Sequence, residues 1–251
     1  MLKIENLQFA YGRHSVLKGA SLALQPGQVG ILLGKNGSGK TTLFKNILGI
    51  EKPNSGAITF SGVNVLKLPR RDRARLVGYV PQHIHFGDLT VFDSVLLGRV
   101  SYFGMKAGPQ DLAVVEKILG DMGLSHLAAR SAEALSGGEK QKLAIARAMA
   151  QEPKLLVFDE PTGNLDMANE HLIIEEAKKL AREKSISILS SLHDLNQALS
   201  FGDRFFFLKD GIVKYAGGRE IITPEILKDT FDVDVRIRQI DGQTVVLQGL
   251  G

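Results

Sequence analysis

Residues 34–41 combine glycines, a lysine and a threonine at a spacing that suits a bound polyphosphate. They read Gly-Lys-Asn-Gly-Ser-Gly-Lys-Thr, which matches the phosphate-binding pattern G-x-x-x-x-G-K-[ST]. Because glycine has no Cβ, backbone N–H groups at these positions can approach phosphate oxygens closely. Lys40 offers a positive charge to the β- and γ-phosphates, and Thr41 offers a hydroxyl to Mg²⁺. The pattern predicts that the chain binds a nucleoside triphosphate.

The residues on either side of this loop predict a strand before it and a helix after it. Residues 28–33 form a short apolar run that is typical of a buried strand. Leu43, Ile47 and Leu48 recur at helical spacing, and Gly49 is typical of a helix end. This order places the phosphates at a helix N-terminus, where the dipole and the free N–H groups favour anions. A glycine-rich turn with an incidental lysine is the less favoured alternative.

A second apolar run, over residues 155–158, ends in the adjacent acids Asp159 and Glu160. A buried charge must be paired or must bind a metal, and the phosphate loop in the same chain supplies a reason for both acids. Asp159 can hold Mg²⁺ directly or through water. Glu160, one residue on, points the other way from the strand end and can polarise the water that attacks the γ-phosphate. The alternative is an acidic turn after a strand.

Residues 135–139 read Leu-Ser-Gly-Gly-Glu and immediately precede a predicted helix. Ser136 and the glycine N–H groups lie where the helix dipole begins, which predicts another anion site. Together with the phosphate loop and the two acids, this motif resembles the nucleotide-binding subunits of ABC transporters. The likeness covers about residues 2–225. It implies an ATPase that converts ATP and water to ADP and phosphate, uses Mg²⁺, and is coupled to transmembrane transport.

The resemblance also implies roles for residues that the motifs above do not include. Tyr11 would stack on adenine, although a tyrosine at a strand end is the alternative. Gln82 would contact Mg²⁺ and the attacking water while it touches the membrane partner. His193 would contact the γ-phosphate, and Asp166 lies in a loop that reaches a second subunit. The sequence departs from the common family pattern at Glu139, where glutamine is commoner, and over 163–166, which reads Gly-Asn-Leu-Asp rather than Ser-Ala-Leu-Asp.

The predicted site residues fall into four groups. The nucleotide-binding residues are Tyr11, Gly34, Asn36, Gly37, Ser38, Gly39, Lys40, Thr41 and Thr42. The catalytic residues are Glu160, His193 and Gln82, and the Mg²⁺ ligands are Thr41, Gln82 and Asp159. The residues that act on the ATP of a second subunit are Ser136, Gly137, Gly138 and Glu139, with Asp166 in the dimer loop.

Strand and helix patterns alternate along most of the chain, which predicts parallel βαβ units. We expect an α/β P-loop NTPase (RecA-like) core with an N-terminal antiparallel β subdomain and an inserted helical subdomain. Residues 1–85 and 151–225 would form the core with the β subdomain. Residues 86–150 would form the helical subdomain, which contains the signature motif, the Leu-Ser-Gly-Gly-Glu of 135–139. Predicted helices include 91–99, 110–122, 125–130 and 139–150. The rest of this single domain, 226–251, is a short C-terminal extension without an assigned role, whose hairpin turn is predicted at Asp241-Gly242.

Composition excludes several other classes of protein. The chain has 251 residues, of which 44% are hydrophobic and 23% charged, and it contains no cysteine. It therefore has no disulfide, thiolate metal site or thiol nucleophile. We expect neither a signal peptide nor a membrane span. The net charge is +4, with arginines concentrated over 69–75. A short helix with a solvated face or acidic neighbours is preferred there to a nucleic-acid site, because no aromatic residues interleave the arginines.

The resemblance implies a head-to-tail homodimer with two ATP, bound to integral membrane permease subunits and, indirectly, to a substrate-binding protein. The subunit would be peripheral, on the cytoplasmic face of the inner membrane, without a nucleic-acid partner. Residues 191–198 are similar to those of importer subunits for iron–siderophore complexes, haem and cobalamin. An exporter subunit and a non-transport ABC ATPase are the alternatives. The solute does not touch this subunit, so the sequence does not identify it.

Overall fold

The computed structural model describes residues 1–161 and 167–248, which form two sheets, flanking helices and a C-terminal hairpin. The strands are β1 (Leu2–Tyr11), β2 (His14–Leu24), β3 (Val29–Leu33), β4 (Ser55–Phe60), β5 (Val63–Asn64), β6 (Val77–Val80), β7 (Leu155–Asp159), β8 (Ser187–Ser191), β9 (Arg204–Lys209), β10 (Ile212–Gly217), β11 (Val235–Ile240) and β12 (Gln243–Gln248). The helices are α1 (Lys40–Leu48), α2 (Arg70–Leu76), α3 (Val91–Leu96), α4 (Pro109–Asp121), α5 (Gly137–Met149), α6 (Met167–Lys184), α7 (Leu195–Phe201) and α8 (Pro224–Phe231).

The central sheet has the strand order β10-β9-β3-β8-β7-β6. Each pair of neighbouring strands is parallel except the pair of β9 and β10, which is antiparallel. Strands β3, β7 and β8 are buried along their whole length, as parallel strands covered on both faces must be. Alternate residues face opposite layers, so Ile31 and Phe158 join the core under the helices, whereas Leu32 and Val157 join the core under the N-terminal sheet. The predicted fold class is confirmed.

The N-terminal sheet is antiparallel, with the order β2-β1-β4-β5. Its inward residues, among them Ile4 and Ile58, share one core with Leu43 and Phe44 of α1. The sheet is attached to the central sheet by a backbone hydrogen bond of 2.8 Å from the N–H of Lys18 to a carbonyl in the β9–β10 turn. This layer therefore holds β2 beside the loop that precedes α1.

Helices α3, α4 and α5 lie between β6 and β7 in the chain, as the apolar spacing of this region predicts. The helix predicted over 125–130 is wrong, because only Ser125–Leu127 forms a 3-10 turn. Gly123, with φ +69°, follows the end of α4, and the next backbone bonds span three residues rather than four, as from the N–H of Leu127 to Leu124 at 2.9 Å.

The basic stretch over 69–75 forms most of α2, and residues 69–72 are exposed, as expected of a solvated face. Two of its arginines also contact the neighbouring backbone. Arg71 and Arg75 both donate to the backbone carbonyl of Ser101. The guanidinium of Arg75 also lies 4.4 Å from the ring centroid of Tyr102. These arginines therefore attach α2 to the connection between α3 and α4, through a carbonyl and an aromatic face instead of an acidic side chain.

The C-terminal elements agree with their local sequence signals. Thr223 caps α8 by accepting from the N–H of Ile226 at 3.3 Å, and proline occupies the first turn. Strands β11 and β12 pair as an antiparallel hairpin whose turn residues, Asp241 and Gly242, have φ values of +50° and +77°. Within the two described ranges, no helix has both the length and the hydropathy that crossing a bilayer requires.

Candidate nucleotide site

The loop between β3 and α1 has a backbone that needs its glycines. Gly37 and Gly39 have φ values of +80° and +107°, in the region that side chains with a Cβ rarely adopt. A Cβ on Gly34 would lie 2.3 Å from the carbonyl oxygen of Leu208 and 2.7 Å from Oγ of Ser38. The first glycine is therefore required for packing against β9, and the other two for the turn into α1.

The loop also holds an ammonium group and a hydroxyl group that suit a bound anion. Lys40 is 7% exposed, and its Nζ donates to the carbonyls of Gly34 at 2.8 Å and Lys35 at 3.3 Å. Burial lowers the pKa of Lys40, and the negative charges of Glu160 and Asp159 oppose that shift. Oγ of Ser38 is buried and has no hydrogen-bond partner among the described residues. A buried ammonium on neutral carbonyls beside an unpartnered hydroxyl fits phosphate oxygens.

Asp159, at the end of β7, is 4% exposed and belongs to a hydrogen-bonded cluster. Oγ of Ser191 donates to Oδ1 of Asp159 at 2.8 Å, and the Thr41 hydroxyl is a further partner. Burial raises the pKa of Asp159, whereas the two hydroxyls and Lys40 lower it. Burial and the nearby charge and hydrogen bond of Asp159 together raise the pKa of Tyr79 to about 12.

Glu160 lies between side chains from two neighbouring loops. Gln82 Nε2 donates to Oε2 of Glu160 at 2.5 Å, and His193 Nε2 lies 2.5 Å from Oε1. These residues follow β6, β7 and β8, which are adjacent and parallel, so their carboxyl ends meet at one edge. Glu160 has φ +51°, and its N–H donates to Oγ of Ser191 at 3.1 Å. Glu160 lies just beyond the last residue of β7, so this left-handed backbone sets the direction of its carboxylate.

Residues 136–139, called here the Ser136 segment, lie at the start of α5 and form a reciprocal cap. Oγ of Ser136 accepts from the N–H of Glu139 at 3.4 Å, and Oε2 of Glu139 accepts from the N–H of Ser136 at 2.8 Å. These bonds hold the pKa of Glu139 below its usual value, so the carboxylate is a suitable cap. A Cβ on Gly138 would lie 2.3 Å from Oδ1 of Asn169, so this glycine permits close approach of α5 and α6. Gly137 is the first residue of α5.

The remaining predicted residues lie around the loop or outside the described ranges. Tyr11 is 43% exposed at the end of β1, and its ring packs edge-on against Phe9 with centroids 4.7 Å apart. Asn36 lines a cleft of about 390 Å³ beside the loop. Thr42 is buried in α1, where its carbonyl accepts from Asn46 at 2.8 Å. Asp166 lies outside the described residues, so its dimer-loop role stays a prediction.

The structure therefore brings together two groups of predicted residues, Thr41 with Lys40 and Asp159, and Gln82 with Glu160 and His193. Sequence reasoning did not identify Ser191 or Tyr79. The sequence does contain a signal for Ser191, because the predicted parallel strands 155–159 and 186–191 both end in polar residues. In the structure, Asp159 is in register with Ser191. Tyr79 shows no comparable signal, since its contact with Asp159 depends on the packing of β6 beside β7.

The donor set around Asp159 also fits Mg²⁺. The hydroxyl of Thr41, the carboxylate of Asp159 and the amide of Gln82 are oxygen-bearing groups of the kind that Mg²⁺ prefers. The hydroxyl of Thr41 is near enough to the buried carboxylate of Asp159 to lower its pKa, so two of these groups already lie together. Magnesium usually keeps several waters and binds through few protein ligands plus substrate phosphates, which matches this small set.

Comparison with known proteins identifies the family. The ABC transporter family pattern matches residues 17–163. The iron(3+)-hydroxamate import ATP-binding protein FhuC of Bacillus subtilis is 34% identical, over 94% of this chain and 89% of the relative. Other relatives are import ATP-binding proteins for hemin in Gloeobacter violaceus, phosphonates in Alcaligenes faecalis and sulfate or thiosulfate in Yersinia pseudotuberculosis.

Solved structures agree in fold over nearly the whole chain. One, described as an inward-facing conformation of a metal-chelate type ABC transporter, is 29% identical with a TM-score of 0.83, over 98% of this chain and 95% of that chain. Another is a dimeric post-hydrolysis state of the ATP-binding cassette MJ0796 bound to ADP and Pi, with 30% identity and a TM-score of 0.75, over 87% of this chain and 98% of that chain. The chain belongs to the ATP-binding subunits of ABC transporters, related to those of iron and haem importers, and is an ATPase coupled to transport.

Proposed function

We propose that this chain powers the uptake of a metal chelate, such as an iron–siderophore complex, haem or cobalamin, through a separate permease. The observation that carries the ATPase half is the Glu160 carboxylate, held by Gln82 and His193 at 2.5 Å each at the edge that carries the phosphate loop. The relatives named for iron-hydroxamate and hemin import support the direction of transport and the class of cargo.

In the proposed reaction, Glu160 accepts a proton from the water that attacks the γ-phosphate, and Gln82 and His193 orient that water and the phosphate. Lys40 exchanges its carbonyl partners for phosphate oxygens, and Oγ of Ser38 gains a partner that the described residues do not supply. Thr41, Asp159 and Gln82 would hold Mg²⁺, which supplies positive charge to the β- and γ-phosphate oxygens. Tyr11 would stack on adenine, for which its exposed ring at the end of β1 is suitable.

We propose further that two copies close on two ATP, each between the phosphate loop of one copy and the Ser136 segment of the other, with Asp166 in the contact between copies. A two-fold axis makes the two sites equivalent. The dimeric MJ0796 cassette supports this assembly. Residues 86–150 would act as the helical subdomain that contacts the permease on the cytoplasmic face of the membrane, and a substrate-binding protein would deliver cargo to the permease.

Glu160→Gln tests the catalytic assignment. The variant keeps the size of the side chain and removes its basicity, so ATP binding should persist while kcat falls about 10²- to 10⁴-fold, the usual contribution of a general base. With hydrolysis blocked, ATP should shift the protein from monomer to dimer in size-exclusion chromatography. The matched control is Glu183→Gln, on the exposed side of α6, which should retain the kcat of the unmodified chain.

Turnover of Glu160→Gln within a few-fold of the control would remove Glu160 from the base role. The transport assignment is tested separately. The neighbouring reading frames are searched for a hydrophobic permease, co-purification with it is measured, and ATPase stimulation is assayed in proteoliposomes with loaded binding protein. Stimulation by a ferric or cobalt chelate supports the proposed cargo. Stimulation only by an oxyanion would replace it, and turnover that responds to a solute on the ATP side would indicate an exporter.

A further inference from the structure

The hairpin formed by β11 and β12, called here the C-terminal hairpin, is joined to α7 by one side-chain amide. Nδ2 of Asn196 donates to the carbonyl of Val246 at 3.1 Å, and the N–H of Val246 donates to Oδ1 of Asn196 at 2.9 Å. Asn196 is exposed, yet both ends of its amide are used on one residue of β12. A two-point contact of this kind fixes orientation as well as distance.

The attached helix directly follows the predicted switch histidine. Helix α7 begins at Leu195, and Asp194 caps it by accepting from the N–H of Gln197 at 2.7 Å. The side chain of His193 is 50% exposed, so packing on its ring does little to fix its position. The 2.5 Å approach of its Nε2 to Glu160 therefore depends on where the backbone between β8 and α7 lies.

The hairpin is itself held by the rest of the fold, so it can act as a fixed point. Val235 and Val246 are buried in the core under the helices, which also contains Ile31 and Phe158. Next to the hairpin in sequence, Asp232 forms an ion pair with Lys35 of the phosphate loop. The C-terminal elements thus contact both sides of the catalytic edge.

We propose that Asn196 is a positioning residue for ATP hydrolysis, through which the C-terminal hairpin holds α7 so that His193 reaches Glu160 and the γ-phosphate. This inference rests on the proposed role of His193. The amide does not touch ATP. It acts on kcat because a reacting group displaced by about 1 Å can lose roughly a hundredfold in rate. Binding of ATP depends mainly on the phosphate loop, which has its own contacts, so KM should change little.

The test compares Asn196→Ala with Asn196→Asp, which keeps the acceptor for the N–H of Val246 but loses the donor to its carbonyl. Gln239→Ala is the matched control, since it removes a hydrogen bond of 2.8 Å to Thr244 inside the hairpin and leaves α7 untouched. Both Asn196 variants should lower kcat about tenfold or more, with KM for ATP within about twofold, and the control should keep kcat. In a His193→Ala background, Asn196→Ala should cause no further loss, because both act through one contact.

Normal kcat in a folded Asn196 variant would overturn the proposal, as would a multiplicative loss in the His193→Ala background. Failure of both Asn196 variants to fold would also overturn it, since the contact would then serve stability alone. Melting temperatures of all variants, measured beside the kinetics, separate these cases. If His193→Ala itself keeps normal turnover, the proposed role of His193 is wrong. If His193→Ala is slow and Asn196→Ala is not, only the positioning role fails.

Discussion

Ser191→Ala should affect both acids of the site at once, although the sequence alone assigns this serine no role. The Oγ of Ser191 donates to the carboxylate of Asp159 at 2.8 Å and accepts from the N–H of Glu160 at 3.1 Å. A hydrogen bond to a charged group contributes about 1.5–3 kcal/mol and a neutral one about 0.5–1.5 kcal/mol. Because Ser191 and Asp159 are buried, alanine leaves both partners without a replacement, and we expect a loss of about 2–4 kcal/mol in the free energy of unfolding.

The assay is equilibrium unfolding in urea, with melting temperature as a second readout. For a domain of this size about 1 kcal/mol corresponds to roughly 2–4 °C, so the melting temperature should fall by about 5–15 °C. Ser190→Ala is the matched control, because Ser190 is equally buried and adjacent but contacts only the carbonyl of Ser191, at 3.4 Å, in the hydrogen bonds described. Its loss should stay below about 1 kcal/mol.

The same variant should weaken the apparent affinity of the ATPase reaction for Mg²⁺. The hydrogen bond from Ser191 lowers the pKa of Asp159, so its removal favours the protonated acid, and a protonated acid is a poor metal ligand. The Mg²⁺ concentration for half-maximal ATPase activity should rise in Ser191→Ala and stay unchanged in Ser190→Ala. Equal unfolding energies for the two variants, or an unchanged Mg²⁺ requirement in Ser191→Ala, would refute the reasoning that this hydroxyl holds the two acids.

Two other substitutions test the packing of α5 against α6 and the charge of α8. Gly138→Ala should cost about 1–3 kcal/mol from overpacking, since its Cβ would lie 2.3 Å from Oδ1 of Asn169, and urea unfolding should show most of that loss relieved in an Asn169→Ala background. Hydrogen bonds and charges of Lys214 and Lys209 lower the pKa of Asp229 to about 2. The carboxylate therefore stabilises the fold above pH 4, and this contribution is lost as the pH falls towards 2, so the stability difference from Asp229→Asn should shrink over that range while ¹³C NMR follows the carboxyl titration.

The sequence predicts the phosphate loop well because its requirements are local. Glycines with positive φ, a lysine at the helix start and a buried strand before them all occur within one short segment. The hairpin turn at Asp241 and Gly242 is predictable for the same reason. Local signals fail at Ser125–Leu127, where the backbone hydrogen bonds are of the 3-10 type rather than the α-helical type. They also fail at β10, an edge strand without a buried apolar run.

Contacts between segments that are distant in the sequence escape this kind of prediction. The pairing of Asn196 with Val246 joins positions 50 residues apart, and neither residue type indicates the other. Ser191 has a partly readable signal, since parallel strands that end together bring their terminal residues together, but a shift of register by one residue would separate it from Asp159. Arg71 and Arg75 show the same limit, because their target is a backbone carbonyl, which carries no sequence signature.

The geometry of Glu160 explains why the two acids can have different roles while they are adjacent. A left-handed backbone costs a non-glycine residue about 1–2 kcal/mol, so φ +51° at Glu160 must be sustained by its surroundings. Ser191 supplies part of that support by accepting the Glu160 N–H while it donates to Asp159. One hydroxyl thus holds the metal-ligand candidate and the base candidate in fixed relation. Because both bonds end on the same oxygen, a displacement of the Asp159 carboxylate and a displacement of the Glu160 backbone are coupled through Ser191.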